Sequence, residues 1–178
     1  NEPDWIYVTG YSQDLILIRK QMADIGLTAP IVTMITGPVY REFIDALGPL
    51  SEGVTSATWW HWGTDYKSTD VFGSTKGFYD AVVAKTDGAE PDYVHASAAA
   101  ALVALQLAIE TAGTLDRDAV RKALRELDAI TFYGPIKFRE DGMNSSRAYP
   151  LIQIQNGDPV IVFPEAVKQA SVKPFAGN

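Results

Sequence analysis

One local pattern, used twice in succession, constrains this chain more than any other feature: an apolar run, a turn of glycine and small polar residues, then an amphipathic helical stretch. Ile6-Tyr7-Val8 ends in Thr9-Gly10-Tyr11-Ser12. Behind it Leu15, Ile18, Met22 and Ile25 recur at spacings of three and four, which predicts one apolar helix face with Ser12 as its cap and Gly26 as its stop. Ile31-Val32-Thr33-Met34-Ile35 reads as a second strand, continuous in apolar character as strands covered on both faces tend to be. The turn Thr36-Gly37-Pro38 follows it, with Pro38 suited to a first helical turn. Val39, Phe43, Ile44 and Leu47 predict a second helix stopped by Gly48-Pro49, and residues 54–60 a third strand. Strands alternating with helices in this way predict an α/β fold with a parallel sheet and right-handed crossovers. Ligands of such sheets sit outside the carboxyl ends of the strands, so Tyr11 and Ser12 are candidates to touch a small molecule. The competing reading makes Tyr11 a half-buried loop aromatic and Ser12 only a helix cap.

The alternation stops at Trp59-Trp60-His61-Trp62-Gly63, and about a dozen polar and aromatic residues follow, long for a loop in a βα array. We read this stretch as a crossing between lobes. The cluster Trp59, Trp60, Trp62 and Tyr66 fits packing at that crossing somewhat better than stacking on a ligand. Phe72, Phe78, Tyr79 and Val82 suggest a helix up to Thr86. Residues 93–112 are Ala-rich, with Leu102, Leu105 and Ile109 on one face and Gly113 as the stop, a strong helix pattern. Asp116 is placed to cap a shorter helix through Val120, Ala123, Leu124 and Leu127. The period then becomes strand-like: Phe132 to Phe138, a turn at Glu140-Asp141-Gly142, Tyr149 to Gln155, a turn at Asn156-Gly157, and Val160 to Phe163. Asp-Gly and Asn-Gly between apolar runs predict short antiparallel strands at the C-terminal end.

Composition narrows the function classes. The 178 residues are 47% hydrophobic and 21% charged, with no apolar run read as long enough to cross a bilayer. A net charge of -7 offers little to nucleic-acid phosphates, so a nucleic-acid partner is not expected. There is no cysteine, which removes disulfides, thiol nucleophiles and thiolate metal sites. His61 and His95 have no second His or carboxylate at ligand spacing, so no metal or cofactor is expected. Gly10-Tyr11-Ser12-Gln13-Asp14 lacks the second glycine of a nucleophile elbow. Gly73-Ser74-Thr75-Lys76-Gly77 has the wrong spacing for a phosphate loop and reads as a solvated helix start. With no catalytic pair in view, binding without chemistry fits better than an enzyme.

The order of these pieces resembles the C-terminal half of the branched-chain amino-acid (leucine, isoleucine, valine) binding proteins, the type I periplasmic solute-binding proteins of ABC importers. The matching pieces are Asp4 to Tyr11, Ile18-Arg19, Gly26-Leu27, Glu52-Gly53-Val54, Pro91-Asp92-Tyr93, Ala96 to Gly113, Val120 to Leu124, Tyr133 to Phe138, Asp141-Gly142 and Gln153 to Gly157. The resemblance implies two Rossmann-like α/β lobes that close on a small-molecule ligand, here incomplete. Residues 1–60 then look like part of the C-terminal lobe, 61–148 like a return to the N-terminal lobe, and 149–178 like a crossing back with the last strands. It also implies an extracytoplasmic, periplasmic location, a signal peptide in the precursor, and a membrane permease of an ABC transporter as partner. The first half of both lobes, with its carboxylate-holding contacts, would be missing. The uncovered apolar surfaces are then expected to associate with that N-terminal half or with another copy of the chain.

By the same resemblance Tyr11 matches an aromatic lining the cleft. Amino-acid-binding members place an acidic residue near Ile35 for the ligand ammonium; here the strand ends Met34-Ile35-Thr36 with no carboxylate. An unpaired ammonium in a closed cleft costs several kcal/mol. The expected ligand is therefore a small organic solute, in the first place an aromatic or aliphatic carboxylate lacking an α-ammonium and otherwise an amino-acid-like compound, with Tyr11, Ser12, Met34, Ile35, Thr36 and Trp59 or Trp60 as its wall. The alternative function is a ligand-sensing regulatory or receptor domain on the same fold.

Overall fold

The computed structural model describes residues 3–146 and 148–176; Asn1 and Glu2 of the opening stretch lie outside them. Along the chain run β1 (Trp5–Thr9), α1 (Ser12–Asp24), β2 (Ile31–Ile35), α2 (Arg41–Leu47), β3 (Thr55–Ala57), α3 (Thr75–Lys85), α4 (Tyr93–Ala112), α5 (Arg117–Arg125), β4 (Asp128–Thr131), β5 (Gly134–Lys137), β6 (Leu151–Gln155) and β7 (Asp158–Phe163). They divide into two units, Asn1–Trp59 with Tyr149–Asn178, and Trp60–Ala148.

The first unit is a five-stranded sheet in the order β1-β2-β3-β6-β7. β1, β2 and β3 are parallel, whereas β6 and β7 each run antiparallel to the preceding neighbour. Side chains alternate across a strand, and here the alternation sorts a covered face from an open one. Ile6, Val8, Val32, Met34, Val54 and Ile154 pack with Leu15, Ile16 and Met22 of α1 and Phe43, Ile44 and Leu47 of α2. The opposite face carries Trp5, Tyr7, Ile31, Thr33, Ile35, Thr55, Leu151 and Gln153 around a concavity of about 560 Å³. Trp5, Tyr7 and Ile31 remain more than 45% exposed there. β2 is thus covered on one face only, contrary to the reading of its continuous apolar run; apolar character alone does not say whether a covering layer is present. A polar seam crosses this open face: Trp5 Nε1 donates to Thr33 Oγ1 at 2.9 Å, and the Thr33 and Thr55 hydroxyls lie 2.8 Å apart.

The C-terminal tail is bound to the first unit by side chains standing in for a strand. Buried Gln153 donates to the Gly53 and Lys173 carbonyls and accepts from Lys173 N, and Gln155 donates to the Ser171 carbonyl and to Gln153 Oε1. Phe175 then enters the core, where the Arg19 guanidinium lies 4.9 Å over its ring. Arg19 Nε donates to the Leu50 carbonyl at 2.7 Å, and burial lowers the guanidinium pKa from its usual value. Asn156 and Gly157, both at positive φ, turn β6 into β7 as a type I′ hairpin requires.

The second unit packs Trp60, Phe78, Ala96, Ala100, Val103, Phe132 and Tyr133 into one core. The Phe78 and Phe132 rings stack at 4.3 Å, and Trp60 meets Phe78 edge-on at 5.5 Å. Every helix here has a side-chain cap of the expected kind: Ser74 accepts from Gly77 N, Asp92 forms a capping box with His95, and Asp116 accepts from Ala119 N. Gly113 ends α4 in the left-handed region. α4 contains an 18-residue window of mean hydropathy 1.4, so by length and composition alone it could cross a membrane, contrary to the sequence reading. Alanine raises hydropathy without adding bulk, and Ala96, Ala100, Ala104 and Ala108 serve as the helix's buried face.

One expectation is corrected in this part of the chain. Phe132 and Tyr133 are not strand residues; they form the turn of a hairpin whose first strand, β4, was not recognised. Gly134 enables that turn at φ 110°, where an added Cβ would lie 2.8 Å from the Tyr66 ring. The long segment after Trp62 is tied down. Asp70 accepts from the backbone N–H groups of Phe72, Gly73 and Phe132, and buried Thr75 donates to the Phe132 carbonyl while accepting from Tyr66 N.

Candidate functional site

Because β1, β2 and β3 are parallel and β6 is antiparallel to β3, the residues after the first three strands and those before β6 share one edge of the sheet. At this edge the first unit offers its most chemically distinctive surface. Tyr11 follows β1 and is 80% exposed. It is also the N-cap residue of α1, its carbonyl accepting from Leu15 N and its side chain making no capping hydrogen bond, while Ser12 is the first helical residue. The expectation of Ser12 as cap is therefore corrected by one residue: extended backbone persists through Tyr11, and the helix begins as soon as it ends.

After β2 the chain makes a strained turn. Thr36 sits at φ 91°, ψ -50°, a conformation that costs a β-branched residue about 1–3 kcal/mol and that clusters at ligand clamps and switch regions. The next residue is tightly packed: a Cβ on Gly37 would come within 2.8 Å of Phe43 Cδ2 and 2.9 Å of Leu15 Cδ1, so the turn backbone lies directly on the core. Of the flanking strand residues, Ile35 lines the open sheet face. Met34 is fully buried under the helices and offers no side chain to a ligand, since neighbours on a strand point to opposite faces.

After β3, Trp59 and Trp60 part company. Trp59 is 40% exposed and meets Tyr149 edge-on at 6.5 Å, whereas Trp60 is 3% exposed in the core of the second unit. The burial of Trp60 leaves little of its ring exposed, contrary to its expected place beside Trp59. Trp62 lies against Tyr79 and the His61 ring instead. Tyr149 enters the sequence reading only as the first residue of a strand, not as a site residue; its signal is its place at the second passage between the units, two residues before β6.

Two carboxylates, Asp14 and Glu42, lie in the first turns of α1 and α2 behind this edge. The connections 10–12, 36–38 and 58–59 contain no carboxylate. Glu42, in the first turn of α2, accepts a hydrogen bond from Gln13 Nε2. Both histidines have local backbone roles: His61 Nδ1 accepts from Gly63 N at 3.0 Å, and His95 completes the α4 capping box. Among the described residues, no group of three His, Asp or Glu is placed to hold a metal ion.

Solved structures share this architecture. The leucine binding protein LivK of Thermotoga maritima MSB8 is 27% identical with a TM-score of 0.74, the alignment covering 89% of this chain and 43% of that one. LivJ of Streptococcus pneumoniae, a branched-chain amino acid transporter substrate binding protein solved with isoleucine, is 20% identical with a TM-score of 0.69 over 88% of this chain and 42% of its own. An extracellular ligand-binding receptor from Rhodopseudomonas palustris HaA2 gives 21% and 0.72 over 91% and 48%. The chain thus spans less than half the length of each of these proteins, and its fold is part of the type I periplasmic binding protein fold. The sequence model for periplasmic binding proteins runs through both units, matching residues 1–159, and on that match the chain belongs to the periplasmic binding protein family.

Proposed function

We propose that this chain supplies one wall of the solute cleft of an extracytoplasmic substrate-binding protein serving an ABC importer. Capture is by closure of two lobes on the ligand, with the closed form recognised by a membrane permease. The observation that carries this reading is the sheet edge itself: exposed Tyr11 and Trp59 and strained Thr36 at the ends of three parallel strands, in a family whose members bind solutes. Tyr11, Ser12, Thr36 and Trp59 form the wall, with Ile35 beside it. The first unit belongs to the C-terminal lobe and the second to the N-terminal lobe. No chemical step is assigned to any residue.

The solute is a small organic carboxylate, aromatic or aliphatic. Support comes from the edge connections, which hold no carboxylate to pair with an α-ammonium. The open sheet face, with Trp5, Tyr7 and Ile31, takes an apolar covering layer from the other half of the protein or from a second copy. A thermal-shift screen of organic acids and amino acids on the intact protein tests the reading, since a ligand bound at 100 times its Kd adds about 2.7 kcal/mol to stability. The expected result is a stabilising acid whose effect is lost in Tyr11→Ala; a screen in which no small organic solute stabilises the protein refutes it.

A further inference from the structure

We propose that Tyr149, together with Trp59, is the element of this wall that selects a planar aromatic ring over a saturated one. The proposal rests on the sheet edge being the ligand wall, and it adds a residue and a narrower solute class. Trp59 is the last residue of the first unit before the chain leaves, and Tyr149 is the first on its return. One position inward, Thr58 N donates to the Pro150 carbonyl at 3.0 Å, and two positions inward Ala57 is paired with Leu151. Both residues thus stand just beyond the ends of β3 and β6, one position past a backbone hydrogen bond that continues the ladder, which limits how far their backbone can move.

Their surroundings differ from those of every other tryptophan on this stretch. Trp60 is consumed by the second unit's core and Trp62 by Tyr79 and His61, whereas Trp59 and Tyr149 keep 40% and 48% of their surface exposed while meeting at 67°. An edge-on pair presents ring edges and faces in two orientations, and a third ring gains from such a surface beyond the apolar area it buries. A saturated ring of the same size gains only the area.

The experiment is calorimetry on the intact protein with benzoate and cyclohexanecarboxylate, which match in size and charge and differ in aromaticity. Benzoate is expected to bind the tighter. Tyr149→Leu should weaken benzoate by about three- to tenfold and leave cyclohexanecarboxylate within about twofold, while Tyr149→Phe should retain the preference. Matching melting temperatures of the two variants exclude a folding defect. If both acids bind but Tyr149→Leu shifts them equally or not at all, this inference is wrong and the ligand wall stands. If neither acid binds to the unaltered protein while other solutes do, the aromatic selection fails; if no organic solute binds, the wall itself fails with it.

Discussion

Trp59 and Trp60 are adjacent in sequence and opposite in environment, so replacing each by alanine is a sensitive check on the division into units. Trp60 is 3% exposed and edge-on to Phe78 within the second unit's core, so Trp60→Ala removes a large buried ring and leaves a cavity. Such truncations cost about 3–5 kcal/mol. For a chain of this size each kcal/mol moves the melting temperature by about 2–4 °C, so the expected loss is about 6–20 °C. Trp59 loses only a half-exposed surface and an edge-on contact with Tyr149, for which about 1 kcal/mol, or about 2–4 °C, is expected. Thermal and urea unfolding by circular dichroism measure both variants under identical conditions. Native-state hydrogen exchange should show the Trp60→Ala loss concentrated in α3, α4 and the β4–β5 hairpin. The reasoning is refuted if Trp59→Ala destabilises as much as Trp60→Ala, or if Trp60→Ala costs less than about 1 kcal/mol.

Three other outcomes follow from local geometry. Gly134→Ala forces a Cβ to within 2.8 Å of the Tyr66 ring at φ 110° and should destabilise the protein by about 2 kcal/mol or more, read from a denaturant midpoint shift at constant slope. Thr75→Val strips a partner from both Tyr66 N and the Phe132 carbonyl in a fully buried site, so a loss of about 1–3 kcal/mol is expected, with faster exchange at the Tyr66 amide. If the open sheet face seeks an apolar partner, the isolated 178-residue chain should self-associate in light scattering, and Tyr7→Glu should lower its apparent mass; a monomer unaffected by the change contradicts that reading.

The local pattern carried the helices well. α4 matches the Ala-rich run from Tyr93 to its Gly113 stop, because alanine propensity, an Asp cap and a left-handed glycine agree there. The Asn156-Gly157 turn is as legible, since few other residue pairs accept two positive φ angles. What escaped the sequence depends on contacts between distant segments. β4 carries only the alternating stretch Asp128-Ala129-Ile130-Thr131 and is fixed by pairing with β5. Met34 and Ile35 are both apolar, and only the helices on one face decide which is buried. Trp59 and Trp60 look equivalent in a one-dimensional string; the core that claims Trp60 is built from Phe78 and Phe132, far along the chain. Of the candidate site, the strand-end placement of Tyr11, Thr36 and Trp59 was legible, whereas the strain at Thr36 was not, and the partnership of Trp59 with Tyr149 arises from packing.

On the proposed reading this sheet edge faces a solute without an α-ammonium. Isothermal titration calorimetry of the intact protein with benzoate, leucine and valine, at one pH and salt concentration, tests it most directly. Benzoate should bind, and both amino acids should bind at least about 100-fold more weakly, the difference left by an ammonium with no carboxylate in the connections directly after β1, β2 and β3. Tight binding of leucine or valine with none of benzoate would contradict it, and loss of that binding in Glu42→Gln would assign the missing counter-charge to α2.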